Sequence, residues 1–423
     1  MKLSLTGISD KTPWNKAGVT LPAYDVRALQ QKTAADPRWV HFGIGNIFRI
    51  FVGGIADKLI ESGSLDRGIT CIETFDYDVV DKIYKPFDNL VLAVTLHNDG
   101  RRDKKVLGSL CEAVKAQVQD QKSVSRLKEI FTNKGLQLVS FTITEKGYAL
   151  RGSEGDFLPN VKKDLDGGPS RVTGAMGIVT ALLHERFLNG AAPLALVSMD
   201  NVSQNGRKLQ ESVTEIAEIW QHKGFVEQAF IDYLKDSGRI SFPWSMIDKI
   251  TPRPSEELAS DLKQEGIEDM DVVVTGRKTY IAPFVNAEES QYLVIEDNFP
   301  NGRPELEKAG VFMTDRETVN RSERMKVTVC LNPIHTALCT YDCLLGYKFF
   351  ADGMKDPQLL KLAQKLGYDE GLPTVEDPKI LSPRKFLDEV INVRFPNAYM
   401  GDTSARIAVD ISQMVGIRFG HTI

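Results

Sequence analysis

The stretch Trp39-Val40-His41-Phe42-Gly43-Ile44-Gly45, followed by helical spacing of apolar residues over 47–60, decides the fold. A short apolar run that enters a Gly-x-Gly turn and opens a helix starts a βα unit. In that context the helix N-terminus and the turn's N–H groups face an anion such as a pyrophosphate. Phe48 stands at the third position of the dinucleotide fingerprint, so these glycines also fit a plain strand-to-helix turn. Further apolar runs follow at 68–72, 90–96, 136–142 and 193–199, separated by amphipathic stretches such as 172–187 and 208–220. This alternation predicts an α/β chain with a mostly parallel, Rossmann-like sheet covered on both faces. The pattern changes after Thr251-Pro252-Arg253-Pro254. The acidic stretch 256–271 reads as a solvated insertion and 292–297 as a last strand, after which helical spacing dominates at 336–347, 358–366 and 383–393. The expected organisation is a nucleotide-binding unit over 1–290 and a mainly α-helical unit over 291–423.

The chain has 423 residues, 42% of them apolar and 26% charged, with a net charge of −5. So small and evenly spread a charge argues against a nucleic-acid partner. No apolar run reaches the ~18 residues of a membrane span, and Met1–Gly7 lacks the apolar core of a secretory signal. Five scattered cysteines give neither a disulfide framework nor a zinc set, so a reducing, cytoplasmic setting without a structural metal is expected. The sequence carries no signal for an oligomeric state.

Glu73 ends the second predicted strand. A carboxylate there accepts from ribose hydroxyls and repels a 2′-phosphate, which favours NAD over NADP. Asp76 and Asp78 are rival acids, and S-adenosylmethionine remains an alternative occupant on these residues alone. Two further segments carry chemistry. In Ser198-Met199-Asp200-Asn201-Val202-Ser203-Gln204-Asn205-Gly206 a strand ends in small polar side chains, where ligands of open α/β sheets sit. In Lys326-Val327-Thr328-Val329-Cys330-Leu331-Asn332-Pro333-Ile334-His335, Asn before Pro suggests an N-cap that places His335 in the first helical turn. A lysine of depressed pKa, amide donors and an imidazole suit proton exchange with a carbonyl or alcohol. Solvation of the lysine and capping by Asn332 account for the same residues without any chemistry.

Taken together, the motifs resemble the mannitol dehydrogenase family of polyol-specific long-chain dehydrogenases, which includes fructuronate and tagaturonate reductases. The matching pieces are Gly43-x-Gly45 with Asn46, Ile47 and Arg49, Thr142-Ile143-Thr144-Glu145-Lys146-Gly147-Tyr148 and Gly174-Ala175-Met176. Asp200-Asn201 with Asn205-Gly206, Phe242-Pro243 with 246–252, the Lys326/Asn332/His335 segment, and Arg394-Phe395-Pro396-Asn397 with Asp402-Thr403, Arg406-Ile407 and Asp410 complete them. The resemblance implies metal-independent, NAD-dependent oxidation at C2 of a hexitol or aldonate, or the reverse reduction of a ketose or keto-uronate. It implies Lys326 as acid/base, Asn201 and Asn332 as oxyanion donors and His335 as a positioning group. It further implies Asp248, Arg406 and Asn205 toward the substrate, and Gly43, Gly45, Asn46, Ile47, Arg49, Glu73, Thr144 and Glu145 toward the cofactor. Arginines 253, 394, 406 and 418 favour a carboxylate-bearing substrate, D-mannonate or D-fructuronate, over mannitol or fructose.

Three features depart from the family pattern. Lys326 and Asn332 are six apart, one more than in sugar-alcohol relatives, and on an unbroken helix six steps rotate a side chain by about 240°. A break or π-bulge between Val327 and Pro333 is therefore expected. Met414 stands where many relatives carry a lysine, with Gln413 or Arg418 as substitutes, and relatives continue through additional helices. These departures motivate an alternative from another class: a nucleotide-binding or regulatory protein that lost turnover.

Overall fold

Every residue of the strand Trp39–Phe42 is buried. Val40 and Phe42 enter one core and Trp39 another, as the two-residue pleat of a strand dictates. Along Leu138–Phe141 the division repeats, with Val139 and Phe141 on the first face and Leu138 on the second. Continuous apolar runs are what strands covered on both sides require. Six strands form a wholly parallel sheet in the order Leu110–Lys115, Ile69–Glu73, Trp39–Phe42, Leu138–Phe141, Leu194–Ser198, Ile240–Ser241. The order reverses between Trp39–Phe42 and Leu138–Phe141, which is where open α/β sheets bind ligands. The helix Gly53–Glu61 covers one face. Gln121–Thr132, Ala175–Leu188 and Asn205–His222 cover the other. The structure, a computed structural model, describes residues 1–409 and 411–419.

The apolar run at 90–96 forms the strand Val91–Leu96, but in a separate four-stranded sheet between Arg102–Leu107 and Phe284–Glu288. Its expected place is taken by Leu110–Lys115, an edge strand whose half-polar sequence follows from pairing on one side only. The stretch 256–271 is not a solvated insertion. Ser255 caps the helix Glu256–Gln264, and Leu258, Ala259, Leu262, Ile267 and Met270 are buried against the four-stranded sheet. Acidic residues occupy only its outer face.

The strand expected at 292–297 is present as Tyr292–Glu296, but it is not the last: it pairs antiparallel with Ser245–Asp248 and parallel with a later short strand, Phe312–Thr314, whose three residues are too few to show a pattern. Beyond it, the helices Arg316–Arg324, Asn332–Leu345, Pro357–Gln364 and Pro383–Glu389 surround a further core. Among the described residues no helix is long and apolar enough to cross a membrane.

Candidate active site

Gly43 leaves the first strand with φ +85°, a backbone state costly for any residue with a Cβ. A Cβ there would also stand 2.2 Å from the Thr142 carbonyl oxygen. Gly45 is different, because a Cβ there would meet no atom within 4 Å and would project into open space. That space is a cleft of about 550 Å³ lined by Gly43, Ile44, Gly45, Glu73, Thr142, Thr144 and Lys146. The backbone cradle at Gly45 fits a pyrophosphate-bearing dinucleotide laid over the helix start, whereas Asn46 turns its amide nitrogen to the Tyr280 carbonyl and leaves an unpaired Oδ1 that can only accept, from a hydroxyl and not from a phosphate. Glu73 is 7% exposed, and its Oε1 accepts from Phe75 N at 2.8 Å and Asp76 N at 3.2 Å. Burial raises its pKa. Of the rival acids, Asp76 is tied to the Thr275 and Thr279 hydroxyls, and Asp78 pairs with Lys82 at the surface.

Thr144, a β-branched residue, is held at φ +64°, a conformation that persists only when its surroundings enforce it. Asp200 enforces it: its carboxylate accepts from Ile143 N and Thr144 N, both at 2.9 Å, and from the Tyr148 hydroxyl at 2.6 Å. Three expected cofactor residues behave otherwise. Arg49 is fully buried, donating to the carbonyls of Ala282 at 2.7 Å and Pro283 at 3.1 Å, and burial lowers its pKa to about 10. It therefore ties the first helix to the neighbouring sheet and does not reach the cleft. Glu145 points outward to Lys208, and Lys146 lines the cleft instead. Ile47 is partly buried against the core that holds Ile44 and Phe48 and does not line the cleft.

At the domain junction, Lys326 is 3% exposed and donates to Asn201 Oδ1 at 2.9 Å and to the Ile247 carbonyl at 2.7 Å. Asp248 Oδ1 stands 3.7 Å from its ammonium. Burial lowers the Lys326 pKa, with Asp248 opposing and Arg394 reinforcing the shift. The expected helix interruption is present: Met325–Cys330 is a π-helical turn, Leu331 N donates to the Lys326 carbonyl, and Leu331 departs from helical geometry at φ −131°. The new helix begins at Asn332 with Leu331 as its cap residue. Asn332 is therefore not the cap its sequence suggested, and among the described residues no hydrogen bond involves its amide. His335, one turn on, stacks on Phe395 at 5.4 Å and meets Phe350 edge-on at 4.7 Å. Burial, helped by Arg406, Arg418 and Arg394, pushes its pKa down to about 3.

Asn205 and Asp248 occupy positions unlike those expected. Asn205 is 1% exposed. Its amide donates to the carbonyls of Asp200 and Ser245 and to Ser245 Oγ, each at 3.0 Å, and its Oδ1 accepts from Ser245 N. This clasp pins the loop carrying Asn201 to the strand carrying Ile247 and Asp248, and leaves no amide group for a substrate. Asp248 is held by Arg394 at 2.6 and 3.1 Å, and Arg394 also pairs with Glu288. The Asp248 pKa is low despite burial because Arg394 and Lys326 face it. Arg394 and Glu288 complete a buried network that sequence reasoning missed. Arg406 is exposed, pairs with Asp402, and lines a cavity of about 1060 Å³ with Lys249, Thr251, Arg253 and Asn286. Asp410 and the side chains of Gln413 and Met414 lie outside the described residues. Arg418 donates to the Thr336 hydroxyl.

Comparisons with known proteins match this geometry. Residues 37–308 fit the model of the mannitol dehydrogenase Rossmann domain, and 318–422 that of the mannitol dehydrogenase C-terminal domain. The chain is 53% identical over 425 residues to a D-mannonate oxidoreductase of Thermotoga maritima, covering 100% of itself and 78% of that protein. It is 28% identical to a mannitol 2-dehydrogenase of Cereibacter sphaeroides, over 93% of itself and 76% of that protein. It also superposes on the Pseudomonas fluorescens mannitol 2-dehydrogenase ternary complex with NAD and D-mannitol, with TM-score 0.76 and 28% identity over 96% of this chain and 76% of the other. The six-stranded doubly wound sheet, the glycine cleft at its switch point and the two matched domains place this chain in the mannitol dehydrogenase family.

Proposed function

We propose that this protein is an NAD-dependent, metal-independent oxidoreductase acting at C2 of a six-carbon aldonate or hexitol, with Lys326 as the group that exchanges the hydroxyl proton. The observation that carries the reading is the placement of Lys326, a buried side chain whose Nζ is held by Asn201 Oδ1 and the Ile247 carbonyl with the Asp248 carboxylate 3.7 Å away. Those two acceptors match the two N–H bonds that a neutral amine retains. The remaining position is then a lone pair able to take a proton, or a third N–H able to return it. Bound NAD supplies the hydride acceptor. Asn201 Oδ1 is occupied by the lysine, so its NH₂ group is the part free to donate to the substrate oxygen. Asn332, at the opening of the next helix, offers a second amide. Each such donor is worth roughly 3 kcal/mol to the developing oxyanion. His335 positions the substrate as a neutral ring. In this reading residues 1–290 carry the cofactor and 291–423 carry the proton-transfer group.

D-Mannonate and D-fructuronate are the favoured pair. The Thermotoga maritima relative at 53% identity bears the mannonate name, and Arg253 and Arg406 line the large cavity, where a guanidinium suits a carboxylate. The test is Lys326→Ala assayed with D-mannonate and NAD. A fall in kcat of at least ~100-fold is expected, with NADH affinity unchanged by fluorescence titration. Near-normal turnover in that variant would move proton transfer elsewhere. Wild-type activity on D-mannitol and D-fructose exceeding that on the acids would overturn the substrate assignment.

A further inference from the structure

A small hairpin, Val273–Val274 paired antiparallel with Tyr280–Ile281, reaches across to the rim of the cofactor cleft. Its tip is fastened to the loop that follows Glu73. The Thr275 and Thr279 hydroxyls both donate to Asp76 Oδ2 at 2.5 Å, and Gly276 N donates to Asp78. Asn46 Nδ2 donates to the Tyr280 carbonyl, and Thr279 itself lines the cleft. The hairpin is thus bound to both the helix start and the acid loop, although it lies some 200 residues further along the chain.

At the same rim Phe75 is 63% exposed, yet it lines the cleft. The Arg277 guanidinium, from the hairpin tip, stands 5.2 Å from the centre of its ring. Arg277 is itself exposed, and among the described residues no ion pair holds it. An exposed aromatic ring covered only by a guanidinium without an ion-pair partner among the described residues suits a flat π system carried by an anionic ligand. The position identifies the flat group. Phe75 follows two residues after Glu73, and a base attached to a ribose held at Glu73 must leave the sheet beside it.

We infer that Phe75 and Arg277 form a clip for the adenine ring of the dinucleotide, with the 273–281 hairpin as the strap that holds the clip closed. The inference rests on the dinucleotide reading of the cleft. A base between ring and guanidinium needs roughly 7 Å between them, two contact distances of about 3.5 Å. The strap tip must therefore lift outward on binding while its Asp76 anchor stays in place.

The experiment compares NADH with reduced nicotinamide mononucleotide, which lacks the adenosine half, by direct fluorescence titration. Phe75→Ala is expected to weaken NADH binding about 10-fold, the effect of losing one base stack. Arg277→Ala is expected to weaken it about 3-fold. Mononucleotide affinity should change less than about 2-fold in either variant, and Phe75→Tyr, which keeps the ring, should bind NADH as wild type does. Unchanged NADH affinity in Phe75→Ala, or an equal loss for both ligands, would overturn the clip. Failure of the wild-type protein to bind NADH at all would instead remove the dinucleotide reading, and the clip with it.

Discussion

The carboxylate of Asp248 stands 3.7 Å from the Lys326 ammonium, so its charge favours the protonated lysine while burial favours the neutral one. Asp248→Asn removes the carboxylate that does most to raise the Lys326 pKa, with Glu323 left as a weaker negative charge, and the lysine pKa falls further. Alcohol oxidation needs the neutral amine, so the rising limb of its pH profile should move to lower pH in Asp248→Asn. The kcat/KM profile checks this, and a shift to higher pH would break the coupling. The substitution also leaves Arg394 with Glu288 alone, a loss of about 3 kcal/mol or more in unfolding experiments. His335 gives a second signature. Its folded pKa of about 3 lies below the ordinary value of 6.5, so between those values the unfolded chain binds a proton that the folded ring refuses. Stability is therefore lost as pH falls through this window, by about 1.4 kcal/mol per pH unit for this group. His41, buried and likewise held neutral, adds a similar slope, so the difference between wild type and His335→Gln isolates the His335 share. Equal acid sensitivity of the two proteins would show that His335 is protonated in the native state.

At the scale of single elements, the turn Met325–Cys330 takes up one residue between Lys326 and Asn332. An α-helix would bond the Lys326 carbonyl to the N–H four residues on, whereas here Leu331 N, five on, makes that bond at 3.1 Å. The extra residue is absorbed within one turn, and the helix from Asn332 proceeds as though the turn were one residue shorter. Deleting Thr328 should then restore an α-turn and keep kcat within about tenfold, while inserting an alanine after Thr328 should lower it at least ~100-fold. If both changes abolish activity equally, the turn has some other purpose. This interruption was legible in advance, because spacing and helical geometry together demanded it. The buried runs of the central sheet were legible for a similar reason: a strand covered on both faces has no polar positions to disguise it. Leu110–Lys115 was not, since an edge strand alternates polarity weakly and Glu112 answers Arg126 across the surface. Arg394 also escaped as a network residue. Its partners Asp248 and Glu288 lie 146 and 106 residues away in sequence, and no local pattern records which distant carboxylates a guanidinium will meet. Asn205 failed in the opposite sense, because a small polar side chain after a strand looks the same whether it faces a ligand or clasps the backbone.

Across the whole molecule, the cofactor cleft sits where the parallel sheet changes direction, and its walls come from segments far apart in the chain. Gly43 and Thr142 directly follow the strands Trp39–Phe42 and Leu138–Phe141, Glu73 ends the strand Ile69–Glu73, and Thr279 lies in the hairpin turn. A ligand that bridges them binds the folded chain and not the unfolded one, so it stabilises the fold by RT ln(1 + [L]/Kd). NADH at a hundredfold excess over its Kd should therefore raise unfolding stability by about 2.7 kcal/mol, read as an upward shift of the first thermal transition. NADPH at the same concentration should do much less, because a 2′-phosphate must approach the Glu73 carboxylate, itself only 7% exposed. Burial raises the Glu73 pKa, so this discrimination should weaken as pH falls and the carboxyl takes up a proton. Glu73→Gln should remove the dependence, giving similar shifts with either dinucleotide across that range. The comparison separates charge from shape: if the glutamine variant still rejects NADPH, the closed contour of the Phe75 loop and the hairpin excludes the phosphate, and the carboxylate is incidental.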